Sequence, residues 1–164
     1  MRIIEKLEFG GKTYPLEYED CDDFSHLPRK LCSQVRAVSF CDGKLLIGFG
    51  GKLQPACQFI GGTIEPGETI EQALMREVQE ESNCQVLTWR PIGHQKCEDR
   101  YGKETYQLRV WCRVELLGPF VADPGGSITE IKLIDPIDYR QYVQWGKIGE
   151  RLMERALEIE TSHN

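Results

Sequence analysis

A mixed α/β fold, with one sheet covered by helices on both faces, is predicted by three features of the sequence. Short apolar or alternating runs bounded by glycine turns recur through the first sixty residues and again after residue 84. One helical stretch before Asn83 carries its own start and stop signals. A second, about Lys147–Glu160, repeats Ile148, Leu152, Ala156 and Leu157 at helical spacing. Strands therefore precede and surround two principal helices, which is the pattern of a two-faced mixed sheet. The 164 residues are enough for one domain, 1–164, with a sizeable core.

The elements follow in order. Arg2–Glu8 and Lys12–Tyr18 flank Gly10-Gly11 and read as a β-hairpin, so residues 1–32 form an N-terminal hairpin extension. Residues 19–32 are polar and irregular and read as a connection. Val35–Phe40 and Leu45–Phe49 are joined by Asp42-Gly43, a strong hairpin signal. Gly50-Gly51-Lys52 opens a loop, and Cys57–Ile60 is a short strand leading into Gly61-Gly62. Beyond the first helix, Gln85–Gln95, Glu104–Leu117 and Ile128–Ile134 read as strands, with Asp123-Pro124-Gly125-Gly126 as a loop. Asp135-Pro136 caps a short helix with proline at its first position.

The first helix is specified in detail. Thr69 and Gln72 form a capping box, whose hydroxyl and amide satisfy orphan backbone N–H groups. Leu74, Met75 and Val78 make the apolar stripe that packs on the sheet. Asn83 stands where a left-handed residue ends the helix. Against this sound design, Glu77, Glu80 and Glu81 crowd into an arc of roughly 100°. Like charges three and four apart cost about 0.2–0.5 kcal/mol per pair. They also lie at the helix end that disfavours anions. A divalent cation with oxygen ligands is the natural compensation. Glu68 and Arg76 are eight residues apart, so a loop folded back along the helix would pair them and pin itself over the carboxylates.

Taken together, Gly62, Glu68, Arg76-Glu77-Val78, Glu80-Glu81 and Asn83-Cys84 resemble the Nudix box over 23 residues. Only the final glycine of that pattern departs, replaced by Asn83. The resemblance implies a loop–helix–loop, 61–84, on a Nudix-type α/β/α sandwich. It implies hydrolysis, dependent on Mg²⁺ or Mn²⁺, of a nucleoside diphosphate linked to another group. By the same resemblance Glu77, Glu80 and Glu81 are metal ligands, the Gly61 carbonyl is another candidate, and Glu68 and Arg76 organise them. Glu80 is the residue whose loss is expected to abolish turnover.

Composition narrows the alternatives. A formal charge of −6 does not offer the clustered Lys and Arg of a nucleic-acid polymer interface. No apolar run is long enough for a membrane span, and the first residues lack the apolar core of a signal peptide. Seven cysteines without CxxC spacing read as reduced thiols of a cytoplasmic protein. Cys84, Cys112 and Trp111 are expected in the core.

Several roles stay open at this level. Asp123, Glu130, Glu98 and Asp99 are contenders for the general base. Lys52, Arg36, Arg100 and Arg109 could meet phosphates, though a solvated surface position is the preferred reading for each. Phe49 or Tyr101 could stack on a base. Tyr101 stands where diadenosine polyphosphate hydrolases carry a tyrosine, and the hairpin resembles an extension of some dimeric members, which leaves a homodimer as an option. The substrate options are a nucleoside triphosphate, a dinucleoside polyphosphate or a nucleotide-sugar. The alternative is a non-catalytic nucleotide-sensing domain, a class that usually loses the box carboxylates retained here.

Overall fold

The computed structural model describes residues 1–9, 12–50, 56–98 and 101–162. The glycine turn at residues 10 and 11, Lys52, Asp99 and Arg100 lie outside the described residues. Strands β1 (Arg2–Phe9) and β2 (Lys12–Glu19) pair antiparallel as the expected hairpin. After a connection holding one short 3₁₀ turn, β3 (Cys32–Cys41) and β4 (Lys44–Gly50) form the second hairpin. Asp42 and Gly43 both take positive φ, 48° and 73°, the conformation a two-residue hairpin turn requires.

Cys57–Ile60 does not form one strand. β5 (Ala56–Gln58) pairs with β4, while β6 (Ile60–Thr63) crosses to pair with β3. The chain changes partner at Phe59, whose ring is buried. Helix α1 (Ile70–Ser82) follows, then β7 (Cys84–Glu98) and β8 (Glu104–Leu116), β9 (Glu130–Ile134), a 3₁₀ turn at Pro136–Gln141, and α2 (Gly146–Ser162). β9 starts two residues later than expected, because Ile128 is held in the preceding loop.

Among the described residues the sheet runs β1-β2-β7-β8-β3-β4-β5, with β6 on β3 and β9 on β4. β3 and β8 are parallel and the remaining pairs antiparallel, so the sheet is mixed. Period-two alternation sends successive side chains to opposite faces. Val35, Ala37, Leu108 and Val110 pack with Leu74 and Val78 of α1. Val38, Phe40 and Trp111 pack with Ile148, Leu152 and Ala156 of α2. Leu157 is only partly buried at the edge of that cluster. Met75, assigned from the sequence to the apolar stripe, is instead 44% exposed; Ala73 takes the buried place. No helix among the described residues is long and apolar enough to cross a membrane.

Candidate active site

The loop from Gly61 to Thr69 turns back on α1 because both ends of that helix are chemically specified. Thr69 accepts from the Gln72 backbone N–H at 3.1 Å, and Gln72 Oε1 accepts from the Thr69 N–H at 2.8 Å. At the other end Asn83 sits at φ 53°, ψ 40°, and its N–H donates to the Gln79 carbonyl. Asparagine thus fills the left-handed position that the usual glycine would hold.

Glu68 and Arg76 pair as the spacing predicts. Arg76 Nε and Nη2 donate to the two Glu68 oxygens at 2.7 and 2.9 Å, a bidentate fork. Nη2 also reaches the Thr63 carbonyl at 2.9 Å, and the Glu65 N–H donates to Glu68. One guanidinium therefore ties both limbs of the loop to the helix. Its donated hydrogen bonds hold the Glu68 carboxyl down at about 2.

The three remaining acids are near one another but unequally placed. Glu81 is buried; its Oε2 accepts from the Gly61 N–H at 2.8 Å and its Oε1 from the Ser127 hydroxyl at 2.7 Å. Burial pushes its pKa up, with these hydrogen bonds and the Arg36 charge pulling the other way. Glu77 is 12% exposed and lies against Gly62, where an added Cβ would meet its carboxylate at about 2.5 Å. Glu80 is 41% exposed. Arg76 Nη1 bridges the two, at 2.8 Å to Glu77 and 3.2 Å to Glu80. Among the described residues no three acid, His or Cys side chains already converge as a ligand set. The crowding expected from the sequence is real, but Arg76 stands between two of its members.

Gly61 is required on two counts. Its φ of 141° excludes most side chains, and a Cβ would stand 2.2 Å from the Val35 carbonyl oxygen. This close approach brings its N–H onto Glu81.

The other sequence candidates separate clearly. Asp123 is buried and fully occupied, accepting from the N–H groups of Gly125, Ser127 and Ile128 and contacting the Ser127 hydroxyl. It shapes the loop that presents Ser127 to Glu81. Glu130 and Glu98 are exposed, at the start of β9 and the end of β7. Phe49 is already covered by Tyr142 and the Lys132 ammonium, and Tyr101 is 79% exposed. Trp111 is core, donating to Glu160 at 3.0 Å.

Arg109 is not a surface charge. It is 5% exposed on β8, because odd-numbered positions of that strand face α2. Its register partner is Arg36, whose Nη1 donates to the Phe59 carbonyl at 3.1 Å. Neither Ser127 nor buried Arg109 is marked by local sequence; an arginine between Leu108 and Val110 was the one available signal.

Known proteins resemble this chain in sequence and in fold. The NUDIX domain profile matches residues 33–155. NAD-capped RNA hydrolase NUDT12 of Homo sapiens and of Pongo abelii are each 38% identical over 88 residues, 49% of this chain. The chain spans only 19% of the length of those relatives. A Listeria monocytogenes NUDIX hydrolase has a similar structure, with TM-score 0.62 and 14% identity over 79% of this chain and 95% of that one. The Bacillus subtilis pyrophosphohydrolase BsRppH gives 0.59 and 18% over 73% and 72%. At such identities the likeness concerns the fold alone. With the NUDIX domain profile covering most of its length, the chain belongs to the NUDIX family.

Proposed function

We propose that this chain is a divalent-metal-dependent nucleotide pyrophosphohydrolase, cleaving a phosphoanhydride bond in a nucleoside diphosphate linked to another moiety. One observation carries the reading. Glu68, Glu77 and Glu80 surround one bonded guanidinium, Arg76, while Glu77 lies against Gly62 and Glu81 accepts from the Gly61 N–H. A binding domain without chemistry has no need to keep so much uncompensated negative charge.

The donor set is all oxygen, which suits Mg²⁺ or Mn²⁺ rather than a soft metal. Glu77, Glu80, Glu81 and the Gly61 carbonyl would hold the ion. When bound, it would polarise the phosphate and acidify a coordinated water. The chain's own groups prepare this. Arg76 keeps its fork on Glu68 while Nη1 yields Glu77 and Glu80, so the loop stays pinned as the acids turn to new partners. Ser127 and the Gly61 N–H hold Glu81 in place. Glu80, the most exposed of the trio and bonded only to Arg76, is the carboxylate free to reach substrate water. The seven free cysteines fit a reducing, cytoplasmic setting.

The test is a panel of nucleoside diphosphate derivatives with Mg²⁺ in ¹⁸O water, with products identified by mass. The matched relatives' activity on NAD-capped RNA makes a capped RNA end one member of that panel. Glu80→Gln is expected to fold normally and to lose about 10²–10⁴-fold in turnover. Near-normal turnover by that variant would remove Glu80 from its role. A panel with no hydrolysis at all would reject the enzyme.

A further inference from the structure

The tip of loop 61–69 is a preformed turn. Pro66 and Gly67 occupy its two central places, Gly67 takes a φ of 89°, and the Glu68 N–H donates to the Glu65 carbonyl at 3.1 Å. Proline followed by a residue of positive φ is the pattern of a type II turn. The Glu65 N–H, bonded to Glu68 Oε2 at 2.9 Å, closes the turn a second time. Such a unit is stiff in itself, so its place beside α1 depends on what grips it from outside.

One grip is Arg76, which reaches from the helix to the Glu68 carboxylate and the Thr63 carbonyl. The other is Arg29, on the 3₁₀ turn Arg29–Leu31, ahead of the residues 33–155 that match the family profile. Its Nη2 donates to the main-chain carbonyl of Glu68. Glu68 is thus held by two guanidiniums, one on its carboxylate and one on its carbonyl. The backbone of Arg29 is itself fixed. The Leu31 N–H donates to the Pro28 carbonyl at 2.8 Å, and the Cys32 N–H donates to the Arg29 carbonyl. Leu27 and Cys32, on either side, are buried in the cluster that contains Leu74 and Val78 of α1. A cleft of about 580 Å³ is lined on one side by Arg29, Lys30 and Cys32 and on the other by residues 64–68. The Arg29 bond ties one wall of this cleft to the other.

On the hydrolase reading, Arg76 Nη1 yields Glu77 and Glu80 to an incoming ion. Arg76 then bonds only the loop, and its own place depends on Glu68 staying where it is. We propose that Arg29 is a positioning residue for the metal-holding acids: by bracing the Glu68 main chain, it keeps the Arg76 fork in place while Glu77 and Glu80 change partners. The proposal rests on the hydrolase reading for its metal, but the brace can be observed without turnover. The contact uses one donor on one carbonyl, which a lysine can supply and a methionine cannot. Charge alone predicts the opposite result, since removing a cation beside an acidic site favours metal uptake.

The experiment compares the full chain with its Arg29→Met, Arg29→Lys and Lys30→Met variants. Mn²⁺ uptake is followed by calorimetry, and exchange of the Glu65 amide by NMR in metal-free solution. Arg29→Met is expected to bind Mn²⁺ about 10-fold more weakly at an unchanged melting temperature. Its Glu65 amide should exchange about 10-fold faster, as the turn opens more often. Arg29→Lys should recover most of both losses. Lys30→Met removes a neighbouring charge but not the bond, and should take up Mn²⁺ at least as tightly as wild type. With a substrate from the panel, Arg29→Met should raise the half-saturating Mg²⁺ concentration by the same factor and leave KM for the nucleotide alone. Mn²⁺ affinity and exchange indifferent to Arg29→Met would overturn the proposal. An equal loss in Lys30→Met would do the same, as would a melting temperature that falls in step with Mn²⁺ affinity. The expected losses in a chain that hydrolyses no panel member would sink the enzyme and keep the brace. Hydrolysis indifferent to Arg29 would do the reverse.

Discussion

The two faces of the sheet carry opposite electrostatic imbalances. Beside α1, three carboxylates, Glu68, Glu77 and Glu80, share one bonded guanidinium while Glu81 leans on neutral donors; under α2, a buried guanidinium has two nitrogens without an acceptor. Elsewhere the same α2 face settles its charges internally. Arg151 forks onto Asp20, whose side chain is largely covered, with Nη2 at 2.7 Å, and Arg113 pairs with Glu160 at 3.1 Å. The fold can therefore match buried ions. Glu81 and Arg109, which it leaves without a direct counter-ion, are connected through Arg36, whose charge acts on both.

The contrast between matched and unmatched charge can be broken by substitution. Arg151→Met leaves the largely covered Asp20 carboxylate without its main partner and should cost about 2–3 kcal/mol in a urea melt. Arg109→Met removes a charge that has no counter-ion but also the hydrogen bonds to Gln95 and Gln107, so the two effects offset and the net cost should stay below about 1 kcal/mol. If both variants lose the same stability, the distinction fails.

Ser127→Ala releases one oxygen of Glu81. On the proposed metal-holding role of Glu81, a group that orients it is worth about 10–100-fold, so turnover should fall by that factor while the melting temperature barely moves. Unchanged kcat/KM would make the Ser127 contact incidental.

Glu68 and Glu81 sharpen the comparison within the acidic site, because their shifts have opposite sign. Glu68 lies at about 2 against an ordinary 4.5, so its contribution is complete above 4.5 and disappears as pH falls toward about 2. Glu81 is raised by burial, so its ionisation costs stability as pH climbs above 4.5. In metal-free solution at about pH 7, Glu68→Gln should lower the melting temperature and Glu81→Gln should leave or raise it. Near pH 2 both differences should vanish. A loss of stability for Glu81→Gln at neutral pH would contradict the assigned sign.

The smallest effect belongs to Asn83→Gly. The backbone already sits where glycine is at ease, and the one side-chain bond lost, to the Pro119 carbonyl at 2.9 Å, is exposed. The change should stay within about 1 kcal/mol. A larger loss would mean that this side chain anchors the loop after β8.

Local chemistry was readable wherever partners lie within a turn or two of one another. The Thr69–Gln72 box, the Asn83 stop, the Asp42-Gly43 turn and the Glu68–Arg76 pair were all predictable from spacing, because short-range geometry is set by backbone periodicity. What escaped was set by distant neighbours. Met75 and Ala73 exchange roles because the sheet decides how the helix is rotated. Cys57–Ile60 splits because β3 and β4 compete for the same stretch.

The chain alone thus determined that an acidic helix end, entered through paired glycines, would form and would be short of positive charge. Only the assembled sheet decided that Ser127 reaches Glu81 across 46 residues, and that Arg109 faces inward beside Arg36. The reason is physical: helix caps and salt bridges one or two turns apart depend on nearby residues, whereas burial of a lone cation depends on which strands become its neighbours.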